Sequence, residues 1–294
     1  MWIMKKIKIF VFLYNGRDYI PKTVEEYLRQ KVSDDISLSL RFILTDTKDG
    51  SEEYLKEHHL DYRLVNPKDF NHALTREKAI LECDDDIAIL LTQDCRVVNT
   101  DVYQKLIESI DDEVKFSYVR QINRNRSIER YTRMFNYPKK SRTKSKADIH
   151  QLGLNTFFAS DACSALDVRY FREIGGYGRP LPTNEDMYYA YKVIQSEKKV
   201  RYVAETDVNH SHSFTLKETE KRYYLFGKFL GMLPEFDRYS ATHSGLKLAL
   251  KVIGRILLEF NLKALVLFLP NMLARLRGKK KGYQDGLKER THNL

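Results

Sequence analysis

The chain of 294 residues has little cysteine, a single tryptophan and no long uncharged apolar run. Its three cysteines, Cys83, Cys95 and Cys163, are odd in number and show no CxxC spacing, which argues against a disulfide framework or a structural zinc site and fits a reducing cytosol. The opening MWIMKKIKIFVFLYNG sets charge before an apolar run only a strand long, with no small-residue cleavage site, so no signal peptide is expected. The longest charge-free run of the C-terminal region, residues 264–274, is interrupted by Pro270. It falls well short of the roughly 20 apolar residues that a membrane-spanning helix needs. There is no tandem repeat, and no RNP-like aromatic pattern, helix-turn-helix signal or zinc-finger spacing.

What is present is positive charge and an alternating pattern. Fifty Lys and Arg against 40 Asp and Glu give +10, which implies anionic partners: phosphates, a membrane surface or nucleic acid. In the first half, short β-branched and aromatic runs (IKIFVFLY, 7–14; SLRFILTD, 39–46; YRLVNP, 62–67; DIAILLTQD, 86–94) alternate with helical stretches near 21–31, 51–58 and 72–83. Alternating strands and helices predict a parallel sheet covered by helices. Ligands of such sheets bind beyond the carboxyl ends of the strands, which here carry Tyr14, Asn15, Asp46, Gln93 and Asp94. After the strand KFSYVRQI (115–122), a polar stretch to about residue 150 carries Arg120, Arg124, Arg126, Arg130, Arg133, Lys139, Lys140, Arg142, Lys144 and Lys146, and predicts a basic loop insertion. From residue 245, Lys247, Lys251, Arg255, Glu259 and Lys263 recur at steps of four and draw one polar stripe on an apolar helix, followed by Arg275, Arg277 and Lys279–Lys281. Such a helix lies on an anionic bilayer or packs on its own domain.

Several carboxylates stand where chemistry would use them. Asp94 ends the strongest apolar strand and can hold a divalent cation against a diphosphate, or cap the helix that follows. Asp46 can accept a hydrogen bond from a base or ribose, beside the ordinary turn residues Asp49-Gly50. Arg76 and Lys78 sit in the first turns of a helix, where cations oppose the helix dipole unless they serve an anion. Glu185 and Asp186 open a helix after the loop GGYGRPLPT. Thr183 or Asn184 can cap that helix, and one of its acids can take a proton from an acceptor hydroxyl. Capping alone leaves HSHSF (210–214) unexplained: two histidines at i and i+2 of an extended segment point the same way, and one can complete a metal site begun by Asp94.

Taken in order, YNG after the first strand, an acid after the second, FNHALTREKA, LLTQDC, RYTRMFNYP, FFASDACSALDVRYFREIGGYGRPLPTNEDMYYAYKV and YVAETDVNHSHSF resemble a family 2 glycosyltransferase, and within it the bacterial enzymes that use dTDP-L-rhamnose. The resemblance runs from about residue 7 to the terminal GYQDGL. It implies an α/β GT-A nucleotide-diphospho-sugar transferase fold, a Rossmann-like mixed sheet flanked by helices, over residues 1–215 with the basic insertion at about 120–150. A C-terminal amphipathic helical region, 216–294, would extend it.

The family's acidic DxD motif falls on Gln93-Asp94-Cys95, so a single carboxylate remains. The resemblance implies Asp94 and His210 as ligands of Mg²⁺ or Mn²⁺, with His212 the close competitor, and Asp186 as general base beside Glu185. Tyr14, Asn15, Asp46, Arg76, Gln93 and Asp94 would bind the donor, although the segment around Asp46 is one residue shorter than the usual motif. The implied activity is inverting transfer of L-rhamnose from dTDP-rhamnose to a lipid-linked glycan in cell-surface polysaccharide synthesis, by a cytoplasmic protein peripheral on the inner face of the plasma membrane. Transfer of galactose, glucose or galactofuranose from a UDP donor is the nearest alternative. A transferase-like fold that only binds a nucleotide sugar is another, which intact Asp94, Asp186 and His210 oppose. From a different class, a basic nucleic-acid binder would exploit the Arg cluster through phosphate neutralisation, without any recognition motif to support it.

Overall fold

A computed structural model describes residues 4–239 and 242–292. Its elements are β1 (Lys5–Leu13), α1 (Ile20–Leu28), β2 (Ile36–Thr45), α2 (Ser51–Glu57), β3 (Tyr62–Val65), α3 (His72–Leu81), β4 (Ile87–Thr92), α4 (Val102–Glu108), β5 (Val114–Ile122), α5 (Ile128–Asn136), β6 (Arg142–Lys144), α6 (Ile149–Leu152), β7 (Cys163–Asp167), α7 (Val168–Glu173), α8 (Glu185–Gln195), β8 (Lys199–Asn209), α9 (Leu216–Met232), α10 (Thr242–Leu258) and α11 (Leu262–His292). The strands form one sheet ordered β3-β2-β1-β4-β7-β5-β8-β6.

The first four strands are parallel, as their alternation with helices dictates, and β1 shows why the sheet is covered on both sides. Ile7, Ile9, Val11 and Leu13 pack on one face with α1, α2 and α4, while Phe10 and Phe12 alternate to the other with α3, α7 and α8. The second half departs from the all-parallel expectation. β7 enters between β4 and β5 antiparallel to both. Its five residues are buried or nearly so, and so short an apolar run carries no periodicity of its own. Its insertion sets the loop before it, with Asp161, beside the end of β4.

The basic stretch 120–150 is not a loop. It folds as the end of β5, α5, the edge strand β6 paired to β8, and α6. Several of its cations are paired within the fold: Arg120 with Asp207 at 3.1 Å, Arg130 with Glu259 at 3.4 Å and Arg142 with Asp148 at 2.8 Å. Lys144 is buried against the Phe158 carbonyl and the Tyr118 hydroxyl, and burial pulls it down to about 7. This pairing leaves Arg124, Arg126, Lys139 and Lys140 as the exposed cations of the stretch without a carboxylate partner among the described residues.

The C-terminal stripe is also broken. α10 ends at Leu258, Phe260 adopts a left-handed φ of 48°, and α11 restarts at Leu262, so Lys263 does not continue the row of Lys251 and Arg255. Ile128 and Tyr131 of α5 pack with Val252 and Ile256 of α10 and Ala264 of α11. α9 and α11 run parallel in backbone contact. A Cβ on Gly227 would strike the Lys279 carbonyl, and one on Gly282 the Tyr224 carbonyl. Glycine is therefore required for the approach itself. Arg275, expected to face a membrane, instead bonds Asn271, Tyr223 and Thr132 inside the helical layer.

Candidate active site

The ends of β4 and β8, Tyr118 of β5, the edge strand β6 and the starts of α3 and α8 surround a cavity of about 1310 Å³, with α5, α9 and the segment before β7 as further walls. Of the residues singled out from sequence, Arg76, Asp94, Glu185, Asp186, His210 and His212 all line it. Asp46 lies instead in a separate recess of about 190 Å³ beyond β2, with Thr47, Lys48 and Asp49.

Gln93, where the acidic motif would have a carboxylate, binds backbone. Its Oε1 accepts from the Tyr14 amide at 2.7 Å and its Nε2 donates to the Tyr14 carbonyl at 2.9 Å. It thereby pins the turn after β1, where Tyr14 is 59% exposed and Asn15 has a φ of 50°. A Cβ at Gly16 would sit 3.0 Å from that same Oε1. The turn is tied to the β2 loop as well: the Asn15 amide donates to Thr47 Oγ1 at 3.3 Å and the Arg17 amide to Asp49 at 3.1 Å.

At the end of β4, Asp94 meets both histidines. Its Oδ1 lies 3.4 Å from His210 Nε2 and its Oδ2 3.5 Å from His212 Nε2, and the two Nε2 atoms are 2.6 Å apart. Among the described residues these three form a cluster whose ligand atoms all lie within 4.8 Å of one another. Burial opposes its charge, yet bonding to His210 and the nearness of His212 hold Asp94 well below the usual carboxylate range. Burial in turn lowers both imidazoles, His212 to about 4, which keeps them neutral and able to ligate. His210 Nδ1 faces Gln121 Oε1 at 2.9 Å, and Gln121 is itself oriented by its Nε2 donating to Ser160 Oγ at 2.7 Å. An Nδ1–H donated to that oxygen leaves the Nε2 lone pair directed at Asp94 and His212. One carboxylate and two imidazoles with room beside them fit a divalent transition metal. The choice between His210 and His212 is thus not forced by geometry, because both point inward.

The second cluster is acidic and deeper. Asp186 Oδ1 accepts from the Met187 amide at 2.7 Å and its Oδ2 from the Asp161 amide at 3.2 Å, which fixes the carboxylate at the mouth of α8. Asn184 occupies the N-cap position without a capping bond from its side chain, with a left-handed φ of 59°. Glu185 is turned inward, 6% exposed, to Arg76 Nη1 at 3.2 Å. Arg76 is itself only 5% exposed: it lies 3.8 Å from Asp161, over the Phe12 ring at 4.5 Å, and donates to the His72 carbonyl. The cation expected to face phosphate is therefore committed to carboxylates. Asp161 also accepts from the hydroxyls of Ser164 and Tyr177, and burial, only partly offset by Arg76, raises it to about 6. Burial, with Asp161 and Glu185 beside it, raises Asp186 well above its ordinary value. Sequence reasoning missed Asp161, although a lone acid inside the apolar FFASDACSAL signals a buried partner.

A cluster able to hold a metal and a raised carboxylate line one cavity at the carboxyl ends of a mixed α/β sheet, an arrangement suited to transfer from a charged leaving group. The family model for glycosyl transferase family 2 matches residues 8–175. The chain belongs to glycosyl transferase family 2. This family 2 member is 31% identical over 288 residues to the O-antigen chain rhamnosyltransferase RfbN of Salmonella typhimurium, covering 96% of this chain and 89% of that protein. It is 30% identical over 229 residues to the O-antigen chain rhamnosyltransferase WbaN of Salmonella anatum, covering 76% and 71%. Among solved structures it is similar to the mannosyltransferase PcManGT from Pyrobaculum calidifontis in complex with GDP-Man and Mn²⁺, with a TM-score of 0.59 at 13% identity over 96% of this chain and 87% of that one. Residues 1–349 of TarS from S. aureus give 0.56 at 11% identity, covering 98% and 92%. The glycosyltransferase therefore has the GT-A fold with C-terminal helices.

Proposed function

We propose that this glycosyltransferase moves L-rhamnose from dTDP-rhamnose to a lipid-linked glycan during surface polysaccharide synthesis, with inversion at the sugar carbon. The observation that carries the reading is the meeting of Asp94, His210, His212 and Asp186 on one cavity, in a chain whose relatives are O-antigen chain rhamnosyltransferases. Asp186 is the general base. The acceptor hydroxyl attacks the anomeric carbon, its proton passes to the Asp186 carboxylate, and the bond from that carbon to the diphosphate oxygen breaks with its electron pair. Two backbone amides aim the carboxylate, and its raised pKa gives it basicity that an exposed Asp lacks. No protein nucleophile takes part. Asp94, His210 and His212 would hold Mn²⁺ or Mg²⁺, which when bound neutralises charge on the departing diphosphate. The loops at Tyr14, Asn15 and Asp46 receive the nucleoside, and Gln93 holds the first of them in place.

A lipid-linked acceptor suits the outer surface of the helical region. Leu250, Leu258, Phe260, Leu262, Val266 and Leu269 are all exposed there, Phe260 by 86%, with Lys247, Lys251, Lys263 and Arg277 also solvent-facing. Such a surface fits an anionic leaflet, which supports a peripheral position on the inner face of the plasma membrane. Among the described residues no helix is long and apolar enough to cross a membrane.

The test is a thermal-shift panel of dTDP-rhamnose, UDP-galactose and UDP-glucose, each with Mn²⁺ and with EDTA, followed by transfer assays with the ligand that stabilises. A ligand present at 100 times its Kd stabilises by about 2.7 kcal/mol. Selective, metal-dependent stabilisation by dTDP-rhamnose is expected. Stabilisation by a UDP-sugar alone would overturn the donor assignment.

A further inference from the structure

Arg76 is held by Glu185 and Asp161, which leaves less of its charge for a phosphate and directs attention to other cations on the cavity wall. Two guanidiniums stand behind the histidine pair. On α5, Arg133 Nη1 donates to the neutral Gln121 Oε1, the same oxygen that faces His210 Nδ1, and lies 3.0 Å from that nitrogen. On α9, the Arg222 guanidinium lies 4.5 Å over the Phe214 ring, which stacks at 4.8 Å on His212. Each imidazole of the triad is thus backed by one arginine. Both arginines line the cavity. The ion pairs that absorb Arg76, Arg120, Arg130 and Arg142 have no counterpart at Arg133 or Arg222 among the described residues. Two guanidiniums without an ion pair among the described residues, on one cavity wall next to the Asp94 cluster, suit an anion.

We propose that Arg133 and Arg222 together receive the diphosphate of the sugar nucleotide, next to the Asp94–His210–His212 cluster. The inference rests on the glycosyl-transfer reading above and adds to it the residues that bear the leaving group. Guanidinium forks bond phosphate oxygens bidentately, so the pair can meet charge that grows on the diphosphate as the sugar departs. Arg222 belongs to the helical region, so that region would supply part of the chemistry as well as the cavity wall.

The experiment measures binding of dTDP, dTMP and geranylgeranyl diphosphate, with Mn²⁺, to wild type and to Arg133→Met, Arg222→Met and Arg222→Lys, alongside kcat and KM for transfer. Each Met variant should weaken dTDP by about tenfold or more and dTMP by much less, because a charge-assisted contact to the second phosphate is what it removes. Transfer should lose more in kcat than in KM, and Arg222→Lys should recover part of the loss. Arg222 is exposed by residue area and has no ion pair among the described residues, and Met retains apolar contact with Phe214, so folding, followed by the thermal midpoint, should be little affected. Unchanged dTDP binding and kcat in both Met variants overturns the proposal. A loss confined to geranylgeranyl diphosphate also overturns it, by giving the pair to a lipid-linked acceptor. Wild type that binds no nucleoside diphosphate would instead refute the donor reading itself.

Discussion

The sheet-borne half of the molecule and its C-terminal helices hold themselves together by opposite means. Around the sheet, positions are fixed by side chains: Gln93 clamps a turn, Gln121 orients an imidazole, and Arg76 binds two buried acids. Between α9 and α11 side-chain bonds such as Arg275 to Tyr223 are joined by contacts that rest on the lack of side chains, with Gly227, Gly231, Gly278, Gly282 and Gly286 admitting backbone to backbone. Polar networks can be tuned residue by residue, whereas a glycine contact tolerates no added atom. The proposed base and metal-holding cluster accordingly lie in the first region and rigid support in the second, with Arg222 at their border.

The sharpest way to break this division is at the base. Asp186→Asn should lower kcat by about 10³-fold, within the range for losing a positioned acid–base group, while dTDP affinity and the thermal midpoint stay near wild type. In wild type the rate should fall as pH drops through the raised pKa of Asp186, since only the ionised carboxylate accepts the proton. Full activity in a folded Asp186→Asn protein would sink the assignment.

A pair of identical substitutions separates propensity from packing in the helices. Gly254 has nothing within 4 Å of an added Cβ, so Gly254→Ala should stabilise by about 0.5–1 kcal/mol. Gly282→Ala gains the same propensity but drives a methyl into the Tyr224 carbonyl, and should destabilise by about 1–3 kcal/mol. Urea midpoints report both, and equal signs would refute the tight parallel contact.

The smallest effect on the fold is expected on the outer surface. Leu250→Gln with Val266→Gln and Leu269→Gln should change stability by no more than about 0.5 kcal/mol per site, because all three are exposed. The same triple variant should sediment less with anionic vesicles, and high salt should release wild type only in part, since apolar insertion is not screened. Wild type that stays free of such vesicles at low salt leaves the surface without a lipid role.

How far the sequence led differs between the same two regions. β1, β2 and β4, Asp94, Asp186 and the histidine pair were legible because strand periodicity and strand-end position are local signals. Asp161, Arg133 and Arg222 were not, because their roles depend on β7 entering antiparallel and on α5 and α9 closing over the sheet. The partners of Arg76 were hidden for a related reason: a cation early in a helix looks unpaired until Glu185 and Asp161 arrive from distant segments. In the C-terminal region the steps of four drew attention to charge, while the structural message lay in Gly278, Gly282 and Gly286, spaced equally by four.

The parallel contact of α9 with α11 also sets an order in time. α9 must wait for residues as late as Gly286 before Lys228 finds its partner backbone, and α10 has to be made in between. At synthesis rates of roughly 5–20 residues per second, α9 spends roughly 3 to 10 seconds outside the ribosome without α11. During that interval the cavity wall that bears Arg222 and Tyr223 lacks its backing, so a nascent chain holds the sheet-borne groups before it holds the complete cavity.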